Sequence, residues 1–138
     1  MRGVRAHALM LALAVSGCFS GCHDTSTGPS EGPLAFGRWT GDGACLSVTD
    51  MGCNLGVGCG HGQFPRPLLR ADGTFDVDGT YRIEVGPVSI DPAPPAHFSG
   101  SVAGSDLILN VVPTAGSLKP ASYSMTPTSA GTCPIPCV

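Results

Sequence analysis

The residues of this chain best suited to chemistry are cysteines and histidines, and three of them lie close together in the stretch GCNLGVGCGHGQF, residues 52–64. Cys53, Cys59 and His61 are separated there by glycines. A Cys59 thiolate and a His61 imidazole, with His97 as a further ligand, would suit zinc or copper. In an oxidising compartment the same cysteines would instead form disulfides.

The spacing favours disulfides over a metal site. Cys53-x5-Cys59-x-His61 matches no common zinc pattern. The alternate glycines give a mobile backbone, whereas a pre-organised metal site needs a stiffer one, and glycine suits a tight cystine loop. We therefore predict a structural disulfide loop here and keep a zinc or copper site at Cys59, His61 and His97 as the alternative.

The number of cysteines supports a disulfide framework. Cys133 and Cys137 stand at the C-terminus, and pinning them to the region of Cys45 and Cys59 would tie the two ends of a small domain together. A bridge that closes a long loop contributes a few kcal/mol. If Cys22 stays unpaired, one thiol is left free among the disulfide candidates, which are Cys45, Cys53, Cys59, Cys133 and Cys137.

Residues 34–138 contain no complete motif for catalysis or calcium binding. The segment from Thr74 to Gly79 resembles the middle of an EF-hand loop, but the first and twelfth positions are Thr74 and Val85, which are not the required ligands. Ser-x-x-Lys does not occur in the sequence, and its one G-x-S-x-G match, at residues 28–32, lies in the segment 23–33 that has no large apolar side chain, not between a strand and a helix. We predict a protein that is not an enzyme and that has no cofactor.

The N-terminus has the features of a secretory signal. Arg2 and Arg5 precede an apolar run of eight residues, 8–15, which is too short to span a bilayer. The run ends in Val15-Ser16-Gly17-Cys18. This motif resembles the lipobox of bacterial lipoproteins, in which the cysteine is lipidated and becomes the first mature residue. Cys22 is a second candidate, but Phe19 then occupies a position that is usually aliphatic.

The lipobox resemblance implies a signal peptide over residues 1–17 and lipid on Cys18. A diacylglycerol together with an N-linked acyl chain such as palmitate is enough for stable membrane anchoring. The resemblance also implies a place in the bacterial cell envelope. Because Phe19 rather than aspartate follows Cys18, it implies the outer membrane.

Residues 23–33, HDTSTGPSEGP, contain no large apolar side chain. This composition is typical of a flexible tether. We therefore assign residues 18–33 to anchor and tether, and residues 34–138 to a single small domain.

Charge excludes one class of partner. Without the signal, ten acidic residues face five basic ones, a net charge of about −5. A basic patch cannot form at that composition, so we predict no nucleic-acid partner.

Apolar residues of the domain alternate with polar ones at period two, which predicts strands. The pattern occurs over 74–85, where Asp78-Gly79 suggests a hairpin turn, and over 96–112, where Gly104-Ser105-Asp106 suggests another. Residues 44–49 and 121–125 predict two more strands. We predict an all-β fold, an antiparallel meander of about six to eight strands, closed as a barrel or folded as a sandwich.

Gly37-Arg38-Trp39 opens the domain and resembles the G-x-W start of lipocalin-like barrels. The resemblance favours a barrel over a sandwich and implies a small interior or an open cup. Together these features predict a membrane-tethered envelope lipoprotein with a non-catalytic β domain. Its role would be structural, or binding of an unknown protein or small ligand, with a metal-binding lipoprotein as the alternative.

Overall fold

The computed structural model describes residues 31–84, 92–134 and 137 of the 138-residue chain. Neither long described range contains an apolar helix of membrane-spanning length. The described residues form ten β-strands: β1 (Gly32–Pro33), β2 (Gly37–Gly41), β3 (Ala44–Thr49), β4 (Gly52–Val57), β5 (Gly60–Phe64), β6 (Leu68–Leu69), β7 (Thr74–Ile83), β8 (Pro95–Ala103), β9 (Asp106–Pro113) and β10 (Ala121–Thr128).

Eight of these strands close into an antiparallel barrel, which confirms the predicted all-β barrel. The order around the barrel is β10-β2-β3-β4-β5-β7-β8-β9, and β10 pairs with both β9 and β2 to close the sheet. Consecutive barrel strands are neighbours throughout, as in a meander. The short strands β1 and β6 pair with each other outside the barrel. Closure leaves the eight strands without a free edge that could pair with another chain.

Apolar side chains at every second position of the strands fill the interior of the barrel. One side of each strand contributes apolar residues to a single core, which includes Trp39, Leu46, Phe75, Phe98 and Leu109. Register places Trp39 opposite Leu46, and Leu46 opposite Leu55. The barrel is therefore filled by its own side chains, as is usual for a barrel of eight strands.

The predicted turn at Asp78-Gly79 is wrong, because β7 runs through both residues without interruption. Gly79 lies in the strand and allows a close approach of β5. A Cβ at this position would lie 2.2 Å from the carbonyl oxygen of Gln63. The glycine in this dipeptide therefore serves close packing of two backbones rather than a hairpin turn.

The stretch 52–64 is a hairpin of barrel strands, not the predicted loop. Strands β4 and β5 pair along their length and are joined by a turn at Gly58 and Cys59. Two of its glycines leave room for large side chains from other strands. A Cβ on Gly62 would lie 3.1 Å from the ring of Phe98, and one on Gly60 would lie 2.0 Å from the hydroxyl of Tyr81.

The barrel has two distinct ends. The entry end is where the chain enters the domain at Glu31, and it includes the β1–β6 ribbon and the turns at 50–51 and 104–105. Leu34 and Leu69 extend from this ribbon into the core. The opposite end includes the turns at 42–43 and 58–59 and the connection from β9 to β10. We call it the clasp end, after the two disulfides described in the next section. Strand β1 lies within the last two residues of the segment assigned above to the tether.

Candidate binding site

The C-terminal segment is held to the barrel by two disulfides, which we call the clasp. Cys45 on β3 is bonded to Cys133, and Cys59 in the β4–β5 turn is bonded to Cys137. These bonds confirm that the cysteines at the C-terminus are pinned to the region of Cys45 and Cys59. Cys45 alternates with the core residues Ala44 and Leu46. Its side chain is therefore directed to the outside of the barrel, where the C-terminal segment lies.

A cleft lies between this segment and the barrel. The clasp cleft has a volume of about 330 Å³. Barrel and C-terminal segment both contribute small side chains to its walls, which are formed by Thr40, Gly43, Ala44, Cys45, Gly56, Gly58, Ala130, Thr132 and Pro134. The volume is at the lower limit of small-ligand sites, so the clasp cleft can accept a small molecule or a short side chain of a partner.

His61 lies beside this cleft on the outer face of β5. Register places it opposite Gly56 on one side and opposite Arg82 on the other. Its Nε2 atom is buried and has no hydrogen-bond partner among the described residues. Burial and the charge of Arg82 lower the pKa of His61, and Glu84, which pairs with Arg82 at 2.7 Å, opposes this shift.

The lowered pKa keeps His61 neutral at neutral pH. Because protonation is less favourable in the folded protein than in the unfolded chain, the contribution of His61 to stability is present above its ordinary pKa of 6.5. That contribution is lost as the pH falls through the folded value.

The structure does not bring the alternative metal ligands Cys59, His61 and His97 together. The sulfur of Cys59 is bonded to another sulfur. His97 pairs instead with Asp78, at 2.8 Å from its Nδ1 atom. Along β7 the partners of the two histidines, Arg82 and Asp78, are four residues apart, or about 13 Å at the rise of a strand.

No group of three or more His, Cys, Asp or Glu side chains is placed to hold a metal ion within residues 31–84, 92–134 and 137. In this oxidised form, Cys59 has no thiolate to offer as a ligand.

Cys53 is the free cysteine of the described residues. It is 2 % exposed, belongs to the core and pairs in register with Phe64. Burial raises the pKa of its thiol to about 12, against an opposing effect of the Arg66 charge. A thiol in such surroundings is an inert core side chain. Cys53 was one of five disulfide candidates, and it is the one that the described structure leaves unpaired.

The shielded thiol of Cys53 should react slowly in the native protein. Because the thiolate is the nucleophile, a pKa of about 12 instead of 9.0 reduces reactivity at pH 8 by about a thousandfold. Iodoacetamide should therefore modify Cys53 in urea and not in buffer, as peptide mass mapping would show. Rapid modification in buffer would contradict the burial.

The raised pKa also makes the stability of the protein depend on pH. The contribution of the neutral Cys53 thiol to the free energy of unfolding is complete below pH 9 and is lost as the pH rises towards 12.

The clasp end of the barrel interior is nearly closed. A cavity of about 110 Å³ remains between the barrel mouth and the β9–β10 connection, with Tyr81, Tyr123 and Leu118 in its walls. Burial and, to a smaller extent, the neighbouring Tyr123 hydroxyl raise the pKa of Tyr81. This volume is well below that of a typical ligand site. Apart from this cavity, the small interior implied by the lipocalin-like opening is filled with side chains, and the clasp cleft lies outside the barrel.

The cleft is the feature that sequence reasoning did not find. Ala130, Thr132 and Pro134 are unremarkable by residue type, and they become cleft walls only through the disulfide of Cys133. The lipidation candidates Cys18 and Cys22 lie outside the described residues.

Comparison with known proteins adds no relative. No protein-family model, no curated protein and no solved structure matches the chain. The candidate site therefore rests on geometry and chemistry alone.

Proposed function

We propose that this protein is a lipid-anchored lipoprotein of the bacterial cell envelope, whose non-catalytic β-barrel acts as a binding or structural module. Cys18 would carry the lipid, residues 18–31 would tether the domain as far as β1, and the outer membrane would be its location. The observation that supports this most strongly is the pair of disulfides. Structural disulfides persist in compartments outside the reducing cytosol, which is where a lipobox would deliver the chain.

The shape of the domain supports action through its outer surface. The interior is occupied by core side chains, and the clasp cleft of about 330 Å³ opens on the outside. Since the chain enters at the opposite end, a tethered barrel would present the clasp end away from the membrane. A protein, a small ligand or another envelope component would then meet the cleft first.

Support for a non-catalytic role comes from the chemistry of the clasp cleft. Its sulfur atoms are oxidised, and its remaining walls are glycine, alanine, threonine and proline. General acid–base catalysis needs a titratable group within hydrogen-bond reach of the reacting atoms. The nearest histidine in register, His61, has its Nε2 atom buried.

Replacing Cys18 should release the protein from membranes. In Cys18→Ala the lipid acceptor is lost, and we expect the protein to move from the membrane fraction to the soluble fraction. The matched control is Cys22→Ala, which should remain in the membrane fraction. Fractionation followed by immunoblotting measures both. If Cys22→Ala releases the protein and Cys18→Ala does not, Cys22 is the lipidated residue; if neither variant is released, the proposed anchor is wrong.

A further inference from the structure

The large apolar side chains that are most exposed in the described residues all lie at the entry end. Phe36 is 60 % exposed, Met51 is 90 % exposed and Leu68 is 72 % exposed. Exposed apolar residues that cluster in this way mark an interaction surface, whereas single ones are normal.

These residues are connected through the segment between β5 and β6. The guanidinium carbon of Arg66 lies 3.6 Å from the ring centroid of Phe36, and its Nε donates a hydrogen bond of 2.6 Å to the carbonyl of Leu34. Met51 and Pro65 line the same surface depression. Leu68 follows two residues after Arg66. We call Phe36, Met51, Pro65, Arg66 and Leu68 the entry surface.

The attachment of the chain indicates what covers this surface. The first described residue, Glu31, is three residues before Leu34 at the same end of the barrel. Glu31 is thirteen positions after Cys18. This segment spans at most about 45 Å when extended, and about 20 Å as a flexible chain. A lipid on Cys18 would therefore keep the entry surface close to a bilayer.

We propose that the entry surface rests on the phospholipid bilayer that holds the anchor. This inference depends on the proposed lipidation of Cys18. Phe36, Met51 and Leu68 would enter the boundary between headgroups and acyl chains, as the apolar residues of interfacial proteins do. Arg66, which stacks on Phe36, would keep its charge at the level of the headgroups.

The contact is mainly apolar, because carboxylates are also present at this end. Glu31 and Asp50 are both exposed at this end. The charges therefore do not select strongly for anionic lipid. Three apolar side chains give weak binding alone, and the anchor strengthens the contact by holding the surface at a high effective concentration. The contact would orient the clasp end towards the aqueous side.

Fluorescence quenching in proteoliposomes tests this orientation. The full lipidated protein, with Cys22→Ala in every variant, is reconstituted into phosphatidylethanolamine and phosphatidylglycerol vesicles. An environment-sensitive fluorophore is attached to Met51→Cys, or to Ser117→Cys as the control in the exposed β9–β10 connection at the clasp end. Cys53 is buried and should not be labelled in the native protein. Lipids with a nitroxide on the acyl chain serve as the quencher.

We expect several-fold stronger quenching of the label at residue 51 than of the label at residue 117. Adding Phe36→Ser and Leu68→Ser should reduce the signal at residue 51 to that of the control. Equal, weak quenching at both positions in protein that floats with the vesicles would overturn the membrane contact and leave the anchor intact. Protein that does not float would overturn both proposals. The label at residue 51 could instead be shielded from water to the same extent in detergent solution, and more so at higher protein concentration. That result would assign the surface to a second copy of the chain and overturn the inference.

Discussion

A variant that lacks both clasp disulfides is expected to be largely unfolded at 37 °C. The two bonds join residues that are 88 and 78 positions apart. In the chain-entropy description, a loop of 88 residues contributes about 4.6 kcal/mol to the free energy of unfolding. The second bond adds further to that value. A small domain has a total of about 5–15 kcal/mol, so losing both bonds removes most of its stability.

The two bonds are also expected to be strongly non-additive. When Cys45–Cys133 is in place, the bond between Cys59 and Cys137 closes only a small ring. Cys59 is 14 positions after Cys45, and Cys137 is four positions after Cys133. A ring of about 18 residues contributes about 3 kcal/mol. Removing either bond should therefore cost about 3 kcal/mol, while removing both should cost about 8 kcal/mol.

Urea unfolding of the domain from Glu31 onward measures these values, with paired alanine substitutions at each bridge and at both. Cys53→Ala is the control, because it removes a cysteine and leaves both bonds intact. Its expected cost is about 1 kcal/mol, for the loss of a small core group. Two single-bridge losses that sum to the double loss would contradict the overlapping arrangement of the two bonds. A double variant as stable as the unaltered domain would contradict the structural role of the clasp.

Truncating Phe98 is expected to have the largest effect of any single core substitution. Phe98 is 0 % exposed on β8, and its ring stacks on Phe64 with the ring centroids 4.2 Å apart. It also fills the space that Gly62 leaves open. A Phe98→Ala variant loses the transfer free energy and gains a cavity. We expect the free energy of unfolding to fall by about 3–5 kcal/mol.

Phe36→Ala is the matched control, because Phe36 is the same residue type and is 60 % exposed. It removes only the contact between the Phe36 ring and Arg66, so it should change the free energy of unfolding by no more than about 1 kcal/mol. Urea unfolding followed by the fluorescence of Trp39, which is buried in the same core, measures both variants. Equal effects of the two substitutions would mean that the barrel core is not packed around Phe98.

Residue patterns predicted the barrel where side-chain alternation and turn chemistry agree. Strand β3 has the predicted bounds of 44 and 49, and β8 and β9 meet at a turn beginning at Gly104. The alternation of Phe75, Val77, Tyr81 and Ile83 was also predicted correctly. The turn within it was wrong, because a glycine that suits a hairpin also suits close backbone approach. Only the position of Gln63 on the neighbouring strand distinguishes the two cases.

The glycine-rich hairpin 52–64 was missed for a related reason. Gly60 and Gly62 occupy inward positions where an apolar side chain would normally reveal a strand. They are small because Tyr81 and Phe98 fill that space from other strands. Because a small residue on one strand is matched by a large one on a distant strand, the sequence of the hairpin alone shows no apolar alternation. The period-two placement of these glycines was the available signal.

The candidate site was predictable only in part. The six cysteines other than Cys18 indicated that the C-terminus of a chain in an oxidising compartment would be tied back, but connectivity cannot be read from spacing. The clasp cleft depends on that connectivity. Its walls come from β2, β3, β4 and a C-terminal segment about 75 residues later in the chain.

The intact mass of the protein extracted from membranes tests the central proposal most directly. The sample is denatured and alkylated without reduction, and then weighed and mapped by peptide fragmentation. We predict a chain that begins at Cys18 with lipid on that residue, and in which Cys45, Cys59, Cys133 and Cys137 resist alkylation. A chain that begins elsewhere without lipid would contradict the anchor. Alkylation of those four cysteines would contradict the disulfide-clasped barrel.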